Sequence, residues 1–316
     1  MNTIFGPIHS RRFGNSLGID LSPTLKQCNF NCLYCELAPA STVDKQTYIV
    51  EVSKIINELK QHLDDKVDVI TITANGEPTL YPYLDELVDE LNKIKNKTQT
   101  LILTNSANLV DEKVFKTLLK LDQVKLSLDA VSNDVFKKID RPYKDINLNE
   151  VVKQIEKFSN IFNGKLFIEI LFVHTINDTK EEIEKLNKAL LSFKNITRVD
   201  IGTIDRPPAY KVTGVSYKEL REISLMFDSS LPINIASRVH AEPNNSSYTE
   251  EEIINTIDKR PLTQDDINLL FDEESKKRLN SLIENSKIVT KTISNLNFFT
   301  LNKNFSRKKE KIIKKA

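Results

Sequence analysis

The stretch Cys28-Asn-Phe-Asn-Cys32-Leu-Tyr-Cys35 contains every cysteine of this 316-residue chain. Its spacing is C-x3-C-x2-C, and the sequence offers no fourth thiol to complete a set of four ligands. Iron–sulfur cubes are usually held by four thiolates. Three thiolates would therefore leave one iron of such a cube without a protein ligand and open to a small molecule.

Two other uses of these thiols are open from the residues alone. The cysteines could bind zinc with a histidine as fourth ligand, although zinc modules favour paired C-x2-C and H-x3-5-H spacings. His9 is the only near candidate, because no histidine lies between residues 10 and 61. The thiols could also be free core residues, but the polar Asn29 and Asn31 between them are unfavourable in a core strand.

The composition is that of a globular protein without a strong overall charge. Apolar residues make up 40% of the chain, which supports a hydrophobic core, and the formal net charge is +1. Such a charge gives no overall field for nucleic acid or for a membrane surface. The local exception is the basic end, Arg307-Lys-Lys-Glu-Lys-Ile-Ile-Lys-Lys-Ala316, which is either a solvated tail or a contact for RNA or phosphate.

The sequence predicts a cytoplasmic protein with no membrane partner. No apolar stretch approaches the length of roughly 18 residues that a membrane span needs. The start, Met1-Asn-Thr-Ile-Phe-Gly-Pro7, lacks the basic and apolar regions of a signal peptide. Clustered thiols in such a chain do not predict disulfides, so we expect the reducing cytosol.

Strand and helix patterns alternate from residue 15 to about residue 228. Six strands separated by amphipathic helices imply a parallel sheet with right-handed crossovers, and a doubly wound sheet and a partial barrel fit this periodicity equally well. The predicted strands are 16–21, 67–73, 100–104, 124–128, 165–173 and 197–204, and the predicted helices are 50–63, 84–94, 111–121, 148–162, 180–193 and 217–227.

The composition changes after the alternating region. The turn-rich Glu242-Pro-Asn-Asn-Ser-Ser247 predicts a linker. Two helices, the first with Thr263 as its N-cap, precede a predicted hairpin around Ser294-Asn295, an order that resembles a small winged helix. Winged helices bind DNA, contact proteins or act as lids. The predicted divisions are a barrel domain with its N-terminal extension over 1–241, a linker and helix over 242–258, a winged-helix-like module over 259–302 and a basic tail over 303–316.

A second motif, Ala74-Asn75-Gly76-Glu77-Pro78, follows the second predicted strand. Gly76 has no Cβ, so backbone carbonyl groups could approach and bond an ammonium group there. An ordinary strand-to-helix turn is the alternative interpretation.

These two motifs, together with the aromatic Tyr34 before the last cysteine, resemble the radical S-adenosylmethionine (SAM) superfamily. Asn75 is a departure, because a glycine usually stands there. The resemblance implies an α/β fold, a (β/α)6 partial TIM barrel, with its chemistry at the C-terminal ends of the strands. It also implies a [4Fe-4S] cluster on Cys28, Cys32 and Cys35, with SAM chelating the open iron and being cleaved to a 5′-deoxyadenosyl radical.

The resemblance further assigns SAM contacts to polar residues at the strand ends. Asn105, Ser127 and Asp129 would contact the ribose and methionine parts, with turn formation as the alternative for each. Glu169 lies within a strand and points either into a polar barrel or towards solvent, and Arg206 could clamp an anion or cap a loop. The predicted cofactor-binding residues are Tyr34, Asn75, Gly76, Glu77, Pro78, Asn105, Ser127, Asp129, Glu169 and Arg206.

Two further segments are similar to bacterial relatives of the wyosine-type tRNA-modifying radical SAM enzymes. One is Phe5-Gly-Pro-Ile-His-Ser-Arg-Arg-Phe-Gly14, in which His9, Arg11 and Arg12 predict an anion-seeking cluster near the cysteines. The other is Ile139-Asp-Arg-Pro142. Archaeal wyosine-forming enzymes carry extra upstream cysteines for a second cluster, and this chain has none, which argues against wyosine chemistry itself.

The leading hypothesis is a radical SAM oxidoreductase or transferase that receives electrons from a partner such as flavodoxin or ferredoxin. Its substrate could be RNA, for example tRNA, and the alternative is a protein or a small metabolite. The competing class is a non-enzymatic, metal-sensing regulator whose winged helix binds DNA. Its recognition helix, predicted over 273–283, has Lys276, Lys277 and Arg278 but also acidic residues, which is unfavourable for phosphate contacts.

Overall fold

The computed structural model describes residues 2–10, 12–235, 247–259, 261–293 and 296–302. Several predictions lie outside these residues. They concern Arg11, most of the linker, the turn at Ser294-Asn295 and the basic tail.

The main part of the chain is one curved eight-stranded sheet covered by helices. Its strands are β1 (Ile4–Ser10), β2 (Gly14–Asp20), β3 (Val69–Thr73), β4 (Gln99–Thr104), β5 (Gln123–Ser127), β6 (Lys165–Phe172), β7 (Ile196–Thr203) and β8 (Ile233–Ile235). Its helices are α1 (Val52–His62), α2 (Leu84–Ile94), α3 (Glu112–Leu118), α4 (Asn133–Ile139), α5 (Leu148–Ile161), α6 (Lys180–Ser192) and α7 (Tyr217–Ser224).

The order of the strands decides between the two predicted architectures. Strands that are neighbours in sequence are neighbours in the sheet from β1 to β8. β1 runs antiparallel to β2, and β2 to β8 are parallel. A doubly wound sheet reverses its strand order near the middle. The predicted (β/α)6 partial barrel is therefore confirmed, with β1 and β8 as additional strands.

The helices form where apolar residues recur at helical spacing. In α1, Val52, Ile55, Ile56 and Leu59 occupy one face and are all buried, as the periodicity predicts. The short α4 lies outside the predicted helices. No helix within the described ranges is both long and apolar enough to cross a membrane.

The two faces of the sheet differ in burial. Leu126 and Ile168 on the convex face are fully buried among the helices. Their neighbours Ser127, Glu169 and Gly202 point to the concave face and are only half-buried. The concave face therefore encloses a lumen in which Ser127 and Glu169 are partly accessible, whereas Lys125 and Asp200 on the same face are buried.

The C-terminal part forms a second, smaller unit with its own apolar core. Thr263 is the N-cap of its second helix, as predicted, and forms a capping box with Asp266. Its strands are β9 (Leu262–Thr263), β10 (Ile288–Ile293) and β11 (Leu296–Leu301), and they form a sheet in the order β10-β11-β9. The identification of this module as a winged helix stays a prediction. Its helices are α8 (Glu250–Lys259), α9 (Gln264–Leu270) and α10 (Glu273–Glu284).

This module packs on β1, the edge strand of the barrel. Ile8 of β1 belongs to the module's apolar cluster, together with Ile253 and Phe271. The Tyr248 hydroxyl donates a hydrogen bond to the Pro7 carbonyl oxygen. The module thus covers a strand edge that would otherwise be exposed to pairing with other chains.

Ile8→Ala is expected to loosen the module from the barrel, because burying an isoleucine side chain is worth about 2–5 kcal/mol relative to alanine. Amide hydrogen exchange should rise across 262–271 while β3 and β4 keep their protection. Ile4→Ala is the matched control on the same strand, since Ile4 packs in the barrel core instead. Equal loss of protection in both units of the Ile8 variant would show that they open as one.

Candidate functional site

The three cysteines lie on one loop that follows β2, at the C-terminal end of the parallel strands. Cys28, Cys32 and Cys35 are free thiols and each is half-buried. The Cys35 N–H donates to the Cys32 carbonyl oxygen at 3.2 Å, so the local chain fixes their spacing. We call residues 27–36 the cysteine loop.

The segment around Gly76 holds the start of the cysteine loop. The Gln27 N–H donates to the Asn75 carbonyl oxygen, and the Glu77 N–H donates to the Gln27 carbonyl oxygen, each at 2.9 Å. Gly76 has a φ of +137°, and a Cβ there would lie 1.9 Å from the Gln27 carbonyl oxygen. This glycine is therefore required by the chain's own backbone, whereas the sequence argument attributed it to a ligand's approach.

Glu77 is buried between the ends of β3 and β4. Its Oε1 accepts hydrogen bonds from the Thr79 N–H at 3.0 Å and from the Thr104 hydroxyl at 2.6 Å. Its Oε2 accepts from the Asn105 N–H at 2.8 Å. Burial raises the pKa of Glu77, although these bonds oppose it. The carboxylate fixes the two strand ends side by side, and its direct contact with a cofactor stays a prediction. Pro78, next in the chain, is also buried.

The Ile139-Asp-Arg-Pro142 segment pairs with the middle of the cysteine loop. The Leu33 N–H donates to the Ile139 carbonyl oxygen at 2.8 Å, and the Tyr143 N–H donates to the Asn29 carbonyl oxygen at 2.7 Å. These bonds give the segment a structural role that its sequence alone did not indicate.

The segment after β7 holds the end of the cysteine loop. The Ala209 N–H donates to the Cys35 carbonyl oxygen at 2.8 Å. Arg206 Nη1 lies 3.1 Å from both carboxylate oxygens of Glu36. Burial alone would lower the pKa of Arg206, but the carboxylates around it, chiefly Glu36 and Asp205, together outweigh burial and raise the pKa. Arg206 is thus already paired within the protein.

Four of the predicted site residues line one cleft beside the cysteine loop: Tyr34, Asn105, Ser127 and Asp129. The Tyr34 hydroxyl donates to Asp129 Oδ2, and the Leu171 N–H donates to Asp129 Oδ1 at 2.7 Å. Burial raises the pKa of Asp129 to about 7. A small cleft with a cavity volume of about 20 Å³ lies here, lined by Phe30, Tyr34, Asn105, Ser127, Leu128, Asp129, Ala130, Phe136, Asp140, Leu148 and Val151.

The surroundings of the thiols disfavour their ionised form. Burial raises the pKa of Cys28 to about 12, and the Glu77 carboxylate adds to this effect. Burial and the Asp140 carboxylate raise the pKa of Cys32. Because a coordinated thiol is deprotonated by the metal's own charge, the set fits a cationic metal cluster even though burial favours the protonated form of Cys28 and Cys32.

Glu169 does not line the cleft, and Arg12 is not near the cysteines. Glu169 lies deeper in the lumen, where it pairs with Arg12 and Lys125. Arg12 follows β1 at the opposite end of the barrel from the cysteine loop, because β1 is antiparallel to β2. The predicted cluster of His9 and Arg12 near the cysteines is therefore wrong. Lys125 was missed, although it is a lone charge in an apolar strand, the same signal that drew attention to Glu169.

Comparisons with known proteins agree with this fold. A family model described as the Radical SAM superfamily matches residues 22–190. A UPF0026 protein of Helicobacter pylori (strain ATCC 700392 / 26695) is 39% identical over 301 residues, which cover 94% of this chain and 96% of that protein. A radical SAM methyltransferase from Sphaerobacter thermophilus has a TM-score of 0.55 at 14% identity, covering 71% of this chain and 67% of that one. Streptococcus suis SuiB bound to S-adenosylmethionine has a TM-score of 0.50 at 18% identity, covering 76% and 54%.

Proposed function

Because the chain belongs to the radical SAM superfamily, we propose that it binds one [4Fe-4S] cluster through Cys28, Cys32 and Cys35 and SAM in the adjoining cleft. The observation that carries the proposal is the cysteine loop, three free thiols on a backbone held by segments 75–77, 139–143 and 206–209. When bound, the cluster and SAM supply an electron and a 5′-deoxyadenosyl radical, the chemistry that the protein itself lacks.

The protein's own residues would position the cofactors. Tyr34, fixed by Asp129, would offer its ring to the adenine, and Asn105 and Ser127 would offer polar groups to the ribose. The backbone carbonyl groups of 75–77 are our proposed ammonium site. Tight backbone contacts around the thiols limit the motion of the ligands, which reduces the reorganisation that electron transfer requires.

RNA modification is the finer proposal, and a protein or small metabolite is the alternative substrate. RNA as the substrate is supported by the basic sequence of residues 307–316. On α10, Lys276 lies 2.8 Å from Glu273, and Lys277 and Arg278 lie within 3.8 Å of Glu274. These cations are neutralised on their own helix, so α10 supports neither RNA binding nor the DNA-binding regulator. An external donor such as flavodoxin or ferredoxin would reduce the cluster.

The test is anaerobic reconstitution followed by reduction. The protein should hold about four irons and four sulfides per chain. With dithionite, it should convert SAM to 5′-deoxyadenosine and methionine, measured by mass spectrometry. Stoichiometric zinc without broad visible absorption, or an intact cluster that leaves SAM unchanged, would contradict the proposal.

A further inference from the structure

Five charged side chains meet in the lumen, below the cleft. Arg12 Nη1 lies 2.7 Å from Glu169 Oε1 and 3.3 Å from Asp200 Oδ2. Lys125 Nζ lies 2.5 Å from the same Glu169 oxygen. Arg198 Nε lies 2.7 Å from Asp200 Oδ1. We call these five residues the lumen cluster.

Distant parts of the chain build this cluster. Lys125 stands on β5, Glu169 on β6, and Asp200 with Arg198 on β7, all on the concave face. Arg12 enters from the turn between β1 and β2, which lies at the N-terminal end of the parallel strands. Along β5, Lys125 is two residues, or roughly 7 Å, below Ser127 at the cleft. The cluster thus forms a polar floor beneath the proposed SAM site.

Two cations of the cluster, Lys125 and Arg12, have more donors than acceptors among the described residues. Lys125 is 6% exposed and has three N–H donors, but Glu169 is the one ion partner recorded for it among the described residues. Arg12 bonds both of its carboxylate partners through Nη1. An ammonium removed from water needs several partners to offset its desolvation. Where the structure describes the chain, Lys125 and Arg12 thus keep donors without a protein acceptor, which favours a further acceptor in the lumen.

The charges point to the kind of acceptor. Burial alone would raise the pKa of Glu169. The positive charges of Lys125 and Arg12 have a larger combined effect and lower this pKa to about 2, so the carboxylate is ionised. Within the cluster three cations face two carboxylates, although burial lowers the pKa of Lys125. The neighbouring Asp129 interacts with Glu169 and Lys125, and burial raises its pKa to about 7, so the surplus positive charge is present while Asp129 is protonated. Arg12 and Glu169 remain 30% and 27% exposed, so a solute in the lumen can reach them.

We propose that the lumen cluster binds an anionic group of the substrate, a carboxylate or a phosphate, through Lys125 and Arg12. Glu169 acts as the internal counter-ion of these two cations until the substrate arrives. A guanidinium presents paired donors to such a group, and an ammonium adds a point charge. Binding of this anionic group would fix one end of the substrate at the lumen cluster, and the other end would extend to the cleft. The inference rests on the proposed function, because the proposed function places the reacting atoms of the substrate at the SAM site.

The test measures anion binding to the reconstituted protein with SAM present at saturation. Malonate and inorganic phosphate serve as probes in isothermal titration calorimetry, and SAM cleavage is assayed in parallel. Lys125→Met should weaken binding of the preferred probe about tenfold, the usual scale for a charged hydrogen bond. Glu169→Gln should strengthen it by a similar factor, because the internal competitor is removed. Lys93→Met is the matched control, since Lys93 is 67% exposed on α2 and pairs with Glu90.

The two variants act in opposite directions, which separates binding from loss of fold. Preference for malonate indicates a carboxylate substrate, preference for phosphate indicates a phosphorylated one, and either supports the inference. No saturable binding by wild-type protein that cleaves SAM would overturn it. It would also be overturned if the probes competed with SAM and Lys125→Met weakened SAM binding instead. Failure of wild-type protein to cleave SAM would count against the proposed function, whatever the probes do.

Discussion

Cys32→Ser protein is expected to hold no stable four-iron cluster and to lose SAM cleavage. Cys32 is one of only three thiols in the chain, so no neighbouring cysteine can replace it. It also lies beside the buried Asp140 carboxylate, which disfavours further negative charge that is not balanced by metal. Replacing Cys28 or Cys35 should have the same result. Iron and sulfide per chain, the visible absorption spectrum and the yield of 5′-deoxyadenosine measure the effect.

Ser41→Ala is the control for the cysteine variants, because Ser41 is an exposed residue shortly after the loop. It should reconstitute like the unmodified protein. A Cys32 variant that kept a full cluster and normal turnover would remove Cys32 from the ligand set.

Gly76→Val should disturb both the fold of the cysteine loop and SAM binding. The position of Gly76 at a strand end, taken alone, predicts weaker SAM binding in an intact fold. The structure predicts more, because the new Cβ would lie 1.9 Å from the Gln27 carbonyl oxygen at a φ of +137°. Backbone strain of this kind costs about 1–3 kcal/mol, and overpacking adds about 1–3 kcal/mol. We expect a lower melting temperature, incomplete cluster loading and weaker SAM binding.

Asn75→Gly is the matched control for Gly76→Val. It introduces the residue that the superfamily usually carries there and keeps the backbone bonds of residue 75 to Gln27 and Asp20. Stability and cluster content should change little. If Gly76→Val itself left stability, cluster content and SAM affinity unchanged, the close approach of Gly76 and Gln27 would have no functional role.

The barrel was predictable because its helices and strands are periodic. Val52, Ile55, Ile56 and Leu59 recur at the helical spacing and are buried together, as expected. β1 was missed because Gly6-Pro7 interrupts its pattern, and β8 was missed because it has three residues. Periodicity could not order the strands, because it reports which face of an element is buried and not which element lies beside it.

The site was predictable only in part, for a related reason. The cysteines are adjacent in sequence, so their spacing carries the information. The pairing of Lys125 with Glu169 depends on the register of β5 and β6. The contact of Arg12 with Glu169 depends on the curvature of the whole sheet. Glu77 was recognised from its motif, but its bonds to Thr79, Thr104 and Asn105 depend on how two strand ends meet.

The packing of the module on β1 has a consequence for synthesis on the ribosome. Tyr248 bonds to Pro7 across 241 residues, so the outer side of β1 is covered only when the last part of the chain has emerged. At about 5–20 residues per second, roughly 10–50 s separate the two events. During that interval the nascent barrel presents an uncovered, partly apolar strand edge. Until the module covers it, this edge could pair with the same edge of a nascent chain on a neighbouring ribosome of one messenger RNA.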